Sequence, residues 1–348
     1  MAVNEALRLQ PGLPEAHFAL GDLYYRAERD YDRALQELAI AKQGLPNDAD
    51  IFLVMGSIER RRGNWNQSTA ALEKAVSLNP KHGPLWANLA VNYQALNNFP
   101  AAERALDRGI ALDPDFFVNR YLRALLDIDS KGDIGAMERL LSRTPEVGDP
   151  DGRATLARFQ LKVFQRRYEE AIDTLAHSAF ESFPAWIPPT PIPKALLVAS
   201  AYRLLGEDAR ARASYERAKD ILERAVERNP IDPSRHVLLG QTYAGLGRKD
   251  DAIREGKRAI ELRPESQDAV DGIRMSLGLA QIYTILGEGD MAIELLEHCV
   301  ASPCGVTRNS VKLDPTWDSL RNYPRFQKMI AQNSFPNTMQ KTNIPDRR

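Results

Sequence analysis

His298 and Cys299, followed five positions later by Cys304, are the side chains whose types and spacing come nearest to chemistry, because an imidazole and two thiols are soft-metal ligands. A metal site would need another ligand to complete that set, and no second cysteine pair exists. Cys299 falls where a small packing residue is due, so a buried structural thiol is expected, with no metal and no cofactor. Two cysteines suit a reducing compartment and exclude a disulfide scaffold. The remaining histidines, His17, His82, His177 and His236, are scattered. The acidic pairs Glu169–Glu170 and Asp250–Asp251 follow turns at helix starts, where the helix dipole accounts for them without acid/base catalysis. The phosphate-cradling GxxxxGK[ST], the dinucleotide GxGxxG, the GxSxG elbow and HExxH are all missing, so no catalytic residue is assigned and the chain is read as not an enzyme.

The elements that carry these residues recur. Segments ending in Pro11, Pro46, Pro80 and Pro114 are spaced by 35, 34 and 34 residues, and Pro230 to Pro264 restores the 34. A small residue precedes each proline by five positions, as Ala6, Ala41, Ala75, Gly109, Ala225 and Ala259. Another sits early in each first helix, as Gly21, Gly56, Ala90 and Gly240. Tyr24, Tyr93 and Tyr243 follow three places later, and Tyr31, Trp65 and Phe99 stand at the turn. Small side chains let antiparallel helices approach, the aromatics fill the wedge between hairpins, and proline ends the second helix. Ala71, Leu72, Ala75, Val76 and Leu78 form one helical stripe, with Glu73 and Lys74 opposite. His17 and His236 occupy the position held by Trp86 in its own unit, which makes them packing residues. The fold class is all-α.

This pattern resembles the tetratricopeptide repeat family. Trp86, Leu89, Ala90, Tyr93, Phe99, Ala102, Gly109 and Pro114 carry the match in one unit, and His236, Leu239, Gly240, Tyr243, Gly247, Ala252, Ala259 and Pro264 in another. The resemblance implies a right-handed α-solenoid of stacked helical hairpins with a concave binding surface. It also implies that ligands lie along the second, fifth, ninth and twelfth positions of each first helix. Those are Glu15, Phe18, Asp22 and Tyr25, then Asp50, Leu53, Ser57 and Arg60, then Ala87, Val91 and Gln94, flanked by Asn88 and Asn92. The partner-binding set expected on this face is Phe18, Asp22, Tyr25, Leu53, Ser57, Arg60, Asn88, Val91 and Asn92. The Lys and Asn with which one subclass clamps a C-terminal carboxylate are absent from the fifth and ninth positions.

Residues 1–114 read as an N-terminal subarray beginning in mid-repeat, because NEALRLQPG matches only the second half of a unit. Residues 115–185 read as degenerate hairpins, with Phe159 where a small residue is due and looser packing expected there. The proline-rich 186–193 reads as a connecting loop in preference to a polyproline ligand built on Pro188, Pro189, Pro191 and Pro193. Residues 194–305 read as a C-terminal subarray, whose first unit has a second helix running seven residues further, through Leu222 and Ala225. In 306–332, VKLDPTWDSLRNYPRFQKMI is similar to the segment that closes such regions in bacterial multidomain signalling proteins. Trp317 with Leu320, and Phe326 with Met329 and Ile330, are spaced to cover the last repeat. Residues 333–348 read as a disordered tail.

Net charge is −1, from 46 basic and 47 acidic residues, which argues against nucleic acid or an anionic membrane as partner. No stretch is long and apolar enough to span a bilayer, and no secretory signal opens the sequence, so a cytoplasmic location is expected. The expected function is a non-catalytic scaffold that binds a peptide or helix of a protein partner on the concave face. The alternative is a sensor or regulatory portion of a larger bacterial signalling protein, acting on an upstream kinase, cyclase or transcription-regulator domain.

Overall fold

A computed structural model describes residues 2–144, 149–184, 190–303 and 306–331. A short helix α1 (Ala2–Leu9) leads into eight antiparallel hairpins. These are α2 (Pro14–Leu23, extended by a π-helical turn Tyr24–Glu28) with α3 (Tyr31–Gly44), α4 (Ala49–Arg61) with α5 (Trp65–Leu78), α6 (Gly83–Ala95) with α7 (Phe99–Leu112), and α8 (Phe117–Lys131) with α9 (Gly135–Arg143). The second four are α10 (Arg153–Phe164) with α11 (Tyr168–Ala176), α12 (Lys194–Leu205) with α13 (Asp208–Arg228), α14 (Pro233–Gly245) with α15 (Lys249–Leu262), and α16 (Asp271–Leu286) with α17 (Gly289–Ala301). The chain is an all-α solenoid.

Close approach within a hairpin needs the small residues. A Cβ on Gly56 would lie 2.8 Å from Leu72, and one on Gly240 would lie 3.0 Å from the Ala252 carbonyl. Each hairpin turns through one left-handed residue: glycine at 63, 132, 206, 247 and 287, Asn97 in one unit, and Arg29 and Arg166 in two others. The following amide then donates back into the helix, as Asn64 N–H does to the Glu59 carbonyl at 2.8 Å. Arginine is costly at a left-handed position, and both arginines make contacts, described below, that glycine could not.

His17, Trp86 and His236 share one device. The Trp86 Nε1–H donates to the Pro80 carbonyl at 3.0 Å, while His17 and His236 Nε2 face the Pro11 and Pro230 carbonyls at 2.8 and 2.9 Å. On the other ring edge, Nδ1 lies 2.6 Å from Glu37 in one case and Glu255 in the other. Two acceptors flank each ring, so both nitrogens must donate and the imidazolium is favoured. The glutamate hydrogen bond accordingly raises both pKa values against the opposing effect of burial. A raised folded-state pKa means that this contribution is complete below the unfolded value, near 6.5, and is lost as pH climbs through the folded value. His236→Trp should keep the carbonyl bond and remove the His236 share of that alkaline loss, leaving the His17 share, each worth about 1.5–3 kcal/mol at most for a hydrogen bond to a charged group. Urea denaturation at pH 6 and pH 9 reads it.

The linker after α11 departs from a plain loop. β1 (Ser182–Pro184) and β2 (Pro191–Pro193) form an antiparallel ribbon with Phe183 opposite Ile192, so 191–193 is strand; residues 185–189 lie outside the described residues. Prolines are tolerated because a two-stranded ribbon is all edge. Phe183 is fully buried against Leu156, Phe159 and Leu175, which closes the space around the bulky Phe159 where looser packing is expected from sequence. α13 runs for 21 residues and keeps Leu222 buried.

Candidate functional site

First helices line the inner side of the array, because α4 touches α6, α6 touches α8, and α14 touches α16. On this side Phe18, Asp22, Tyr25, Leu53, Arg60, Asn88 and Val91 are partly exposed. Asp22 accepts from Arg26 at 2.6 Å, and the Asn88 Nδ2 donates to the Pro84 carbonyl at 3.1 Å. Two residues of the sequence-derived set turn away from the surface. Asn92 is fully buried, its oxygen accepting from Ser68 at 3.0 Å and its nitrogen donating to Thr69 at 2.7 Å, so it fastens α6 to α5. Ser57 is buried and donates to the Leu53 carbonyl at 2.8 Å. A register position gives the helix face but not the direction that a short polar side chain takes.

The array also closes on itself. The loop between α15 and α16 carries Asp268, whose side chain has no exposed area, and α16 opens with the nearly buried Asp271. Arg61, at the end of α4, reaches Asp268 at 2.8 Å and Asp271 at 2.9 Å. Arg29 reaches Asp271 at 2.9 Å, and the Tyr31 hydroxyl donates to Asp268 at 2.6 Å. The Ala269 N–H donates to the Arg61 carbonyl at 2.6 Å, so backbone joins the side-chain clasp. Burial opposes ionisation of Asp271, but Arg61, Arg274 and Arg29 outweigh it and hold its pKa below the usual range. That contribution is present above the unfolded pKa and disappears as pH falls through the depressed value, so acid loosens the clasp.

A second closure involves the C-terminal segment, α18 (Arg308–Leu313), a 3-10 turn (Pro315–Leu320) and α19 (Pro324–Ala331). Trp317, Leu320, Phe326 and Met329 are buried in one cluster with Leu296 and Val300 of α17, which covers the last hairpin. The segment also reaches across the inside of the array, a course that its apolar spacing does not indicate. Leu313 packs beside Phe117 and Tyr121 of α8, and the Asn309 amide donates to the Asp129 carbonyl at 3.2 Å. The Asp129 carboxylate accepts from Thr307 at 3.3 Å and from Gln94; burial pushes its pKa up to about 7. Arg166 donates to the Leu313 carbonyl at 2.7 Å and to Asp318 at 3.0 Å. The inner face near α8 is therefore covered by the chain itself, while the stretch along α2, α4 and α6 stays partly exposed.

Cys299 is buried, with the Ile273 carbonyl 3.7 Å from its sulfur; Cys304 lies outside the described residues. His298 pairs with Glu265 at 2.9 Å. Among the described residues no group of three potential ligands gathers, and no helix is long and apolar enough to cross a membrane.

Two tetratricopeptide repeat models match the chain, over residues 60–127 and 203–267. A solved tetratricopeptide repeat protein from Parabacteroides merdae ATCC 43184 has the same fold, with a TM-score of 0.51 at 19% identity over 80% of this chain and 98% of its own. A curated human protein, protein O-mannosyl-transferase TMTC1, is 24% identical over 162 residues, or 42% of this chain, and the chain spans only 17% of that relative's length. Tetratricopeptide repeats generally mediate protein–protein interaction, and their fold is typically a non-catalytic scaffold. The chain thus carries tetratricopeptide repeats over residues 60–127 and 203–267, within a run of hairpins that continues on either side of them and shares the solenoid fold of that solved protein.

Proposed function

We propose that the chain is a non-catalytic interaction module that holds a peptide or helix of a protein partner along the inner face of α2, α4 and α6. The observation that carries this reading is the row of partly exposed Phe18, Leu53 and Val91 on three successive first helices, interleaved with Asp22 and Asn88. Apolar anchors with polar neighbours suit an amphipathic segment. A near-neutral charge favours recognition by local shape over attraction of nucleic acid.

Leu53→Asp places a charge on the α4 step of this row, at a partly exposed side chain that also packs against the cluster of Phe52, Leu72 and Leu85, so a helicity control accompanies it. Affinity capture from source-cell lysate should lose the partner at least tenfold, with helicity by circular dichroism unchanged. Equal capture by the mutant removes the groove. An empty set from both proteins favours the alternative, a regulatory portion of a larger bacterial signalling protein that acts on an attached kinase, cyclase or transcription-regulator domain. Leu9, 71% exposed on α1, offers that reading an apolar docking point.

A further inference from the structure

The clasp gathers three guanidinium groups, Arg29, Arg61 and Arg274, around two carboxylates, Asp268 and Asp271, and Arg60 lies beside them. Arg29 and Arg61 are satisfied by both aspartates, and Arg274 lies 3.4 Å from Asp271. Arg60 differs. No carboxylate among the described residues pairs with it, and its acceptor is the neutral Asn88 carbonyl at 3.3 Å. Burial and the neighbouring Arg61 and Arg274 charges push its pKa down to about 10, while Tyr25 opposes them. A half-buried guanidinium beside like charges and with only a neutral acceptor is partly desolvated without a counter-charge of its own, which an anion would supply. Its neighbours place it inside the array, between Tyr25 of the π-helical turn, Asn88 of α6 and Arg274 of α16. Resting on the groove proposed above, this corner stands at the end of the Phe18–Leu53–Val91 row.

We propose that Arg60, supported by Arg274, binds a side-chain carboxylate of the partner, so that the segment held in the groove carries an acidic residue beyond its apolar anchors. A guanidinium whose described acceptor is a neutral carbonyl is complementary to Asp or Glu. A guanidinium also offers a carboxylate two parallel N–H donors, which a carbonyl cannot use fully. The site is assembled from the second and the eighth hairpins, so it exists only while the clasp is closed.

The test uses the full chain at low salt with a fluorescein-labelled peptide of alternating Leu and Glu, and its Leu–Gln counterpart, followed by polarisation. The Glu peptide should bind at least tenfold more tightly than the Gln peptide, and Arg60→Met should erase the difference while leaving the melting temperature at or above that of the wild type, because repulsion is relieved. Equal binding of the two peptides, or discrimination that survives Arg60→Met, overturns the proposal. So does a phosphoserine peptide that binds where the Glu peptide does not, which would assign the corner to phosphate. A melting temperature that falls by several degrees in Arg60→Met would make the arginine a structural residue and also count against it. Failure here with capture still dependent on Leu53 leaves the groove standing; loss of both removes the groove.

Discussion

Asp268→Asn lowers the unfolding free energy by about 3–5 kcal/mol, the usual cost of breaking a buried ion pair from one side. The asparagine can still accept from the Val270 and Asp271 amides at the start of α16, where the aspartate now accepts at 3.1 and 2.9 Å, so the change isolates the charge. What remains is Arg61 and Arg29 sharing Asp271 alone in a recessed site. Chemical denaturation measures the loss, and small-angle scattering should show a larger radius of gyration as the seam between the second and eighth hairpins parts. The double variant Asp268→Asn with Arg61→Met should recover part of the stability, since removing both partners costs less than orphaning one. Unchanged stability in the single variant would mean that the ends of the array do not meet in solution.

Trp317→Ala costs about 3–5 kcal/mol, as expected for emptying an aromatic from a packed core. The side chain is 2% exposed and shares its cluster with Leu320, Phe326 and the last hairpin. Because the same segment crosses to α8 through Thr307, Asn309 and Leu313, the loss should spread. Hydrogen exchange at α8 amides, far from position 317 in sequence, should accelerate along with those of α17. Protection lost at α17 alone would confine the segment to capping and remove its role on the inner face.

The hairpins were legible because their determinants are local and repeated. Gly56 against Leu72 recurs as Gly240 against Ala252, and the Trp86 bond to a proline carbonyl recurs with His17 and His236. Periodicity finds such features without any knowledge of the partner helix. The closure was not legible, since Arg61 and Asp268 are polar residues 207 positions apart and belong to no stripe. One signal was nevertheless present. The turn register that holds glycine at 63, 132, 206, 247 and 287 holds arginine at 29 and 166, and these two reach across the array to Asp271 and to Leu313 and Asp318. A bulky residue kept where a left-handed backbone favours glycine marks a contact worth the strain. In the groove, the first-helix register names Phe18, Leu53 and Val91, which are partly exposed, but does not disclose the burial of Asn92, whose amide turns to Ser68 and Thr69.

The closed form can be tested directly by cross-linking the seam. A Cβ at position 63 would stand 3.5 Å from the Ala269 Cβ, within the roughly 3.5–4.5 Å that a disulfide spans. Gly63 has φ near +77°, so a cysteine there is strained by about 1–2 kcal/mol, too little to prevent the bond if the seam is closed. In a chain with Cys299 and Cys304 replaced by alanine, Gly63→Cys and Ala269→Cys should form an intramolecular 63–269 disulfide in dilute solution, identified by peptide mapping. Reduced thiols under mild oxidation, or disulfides only between molecules, would contradict a solenoid whose second and eighth hairpins meet.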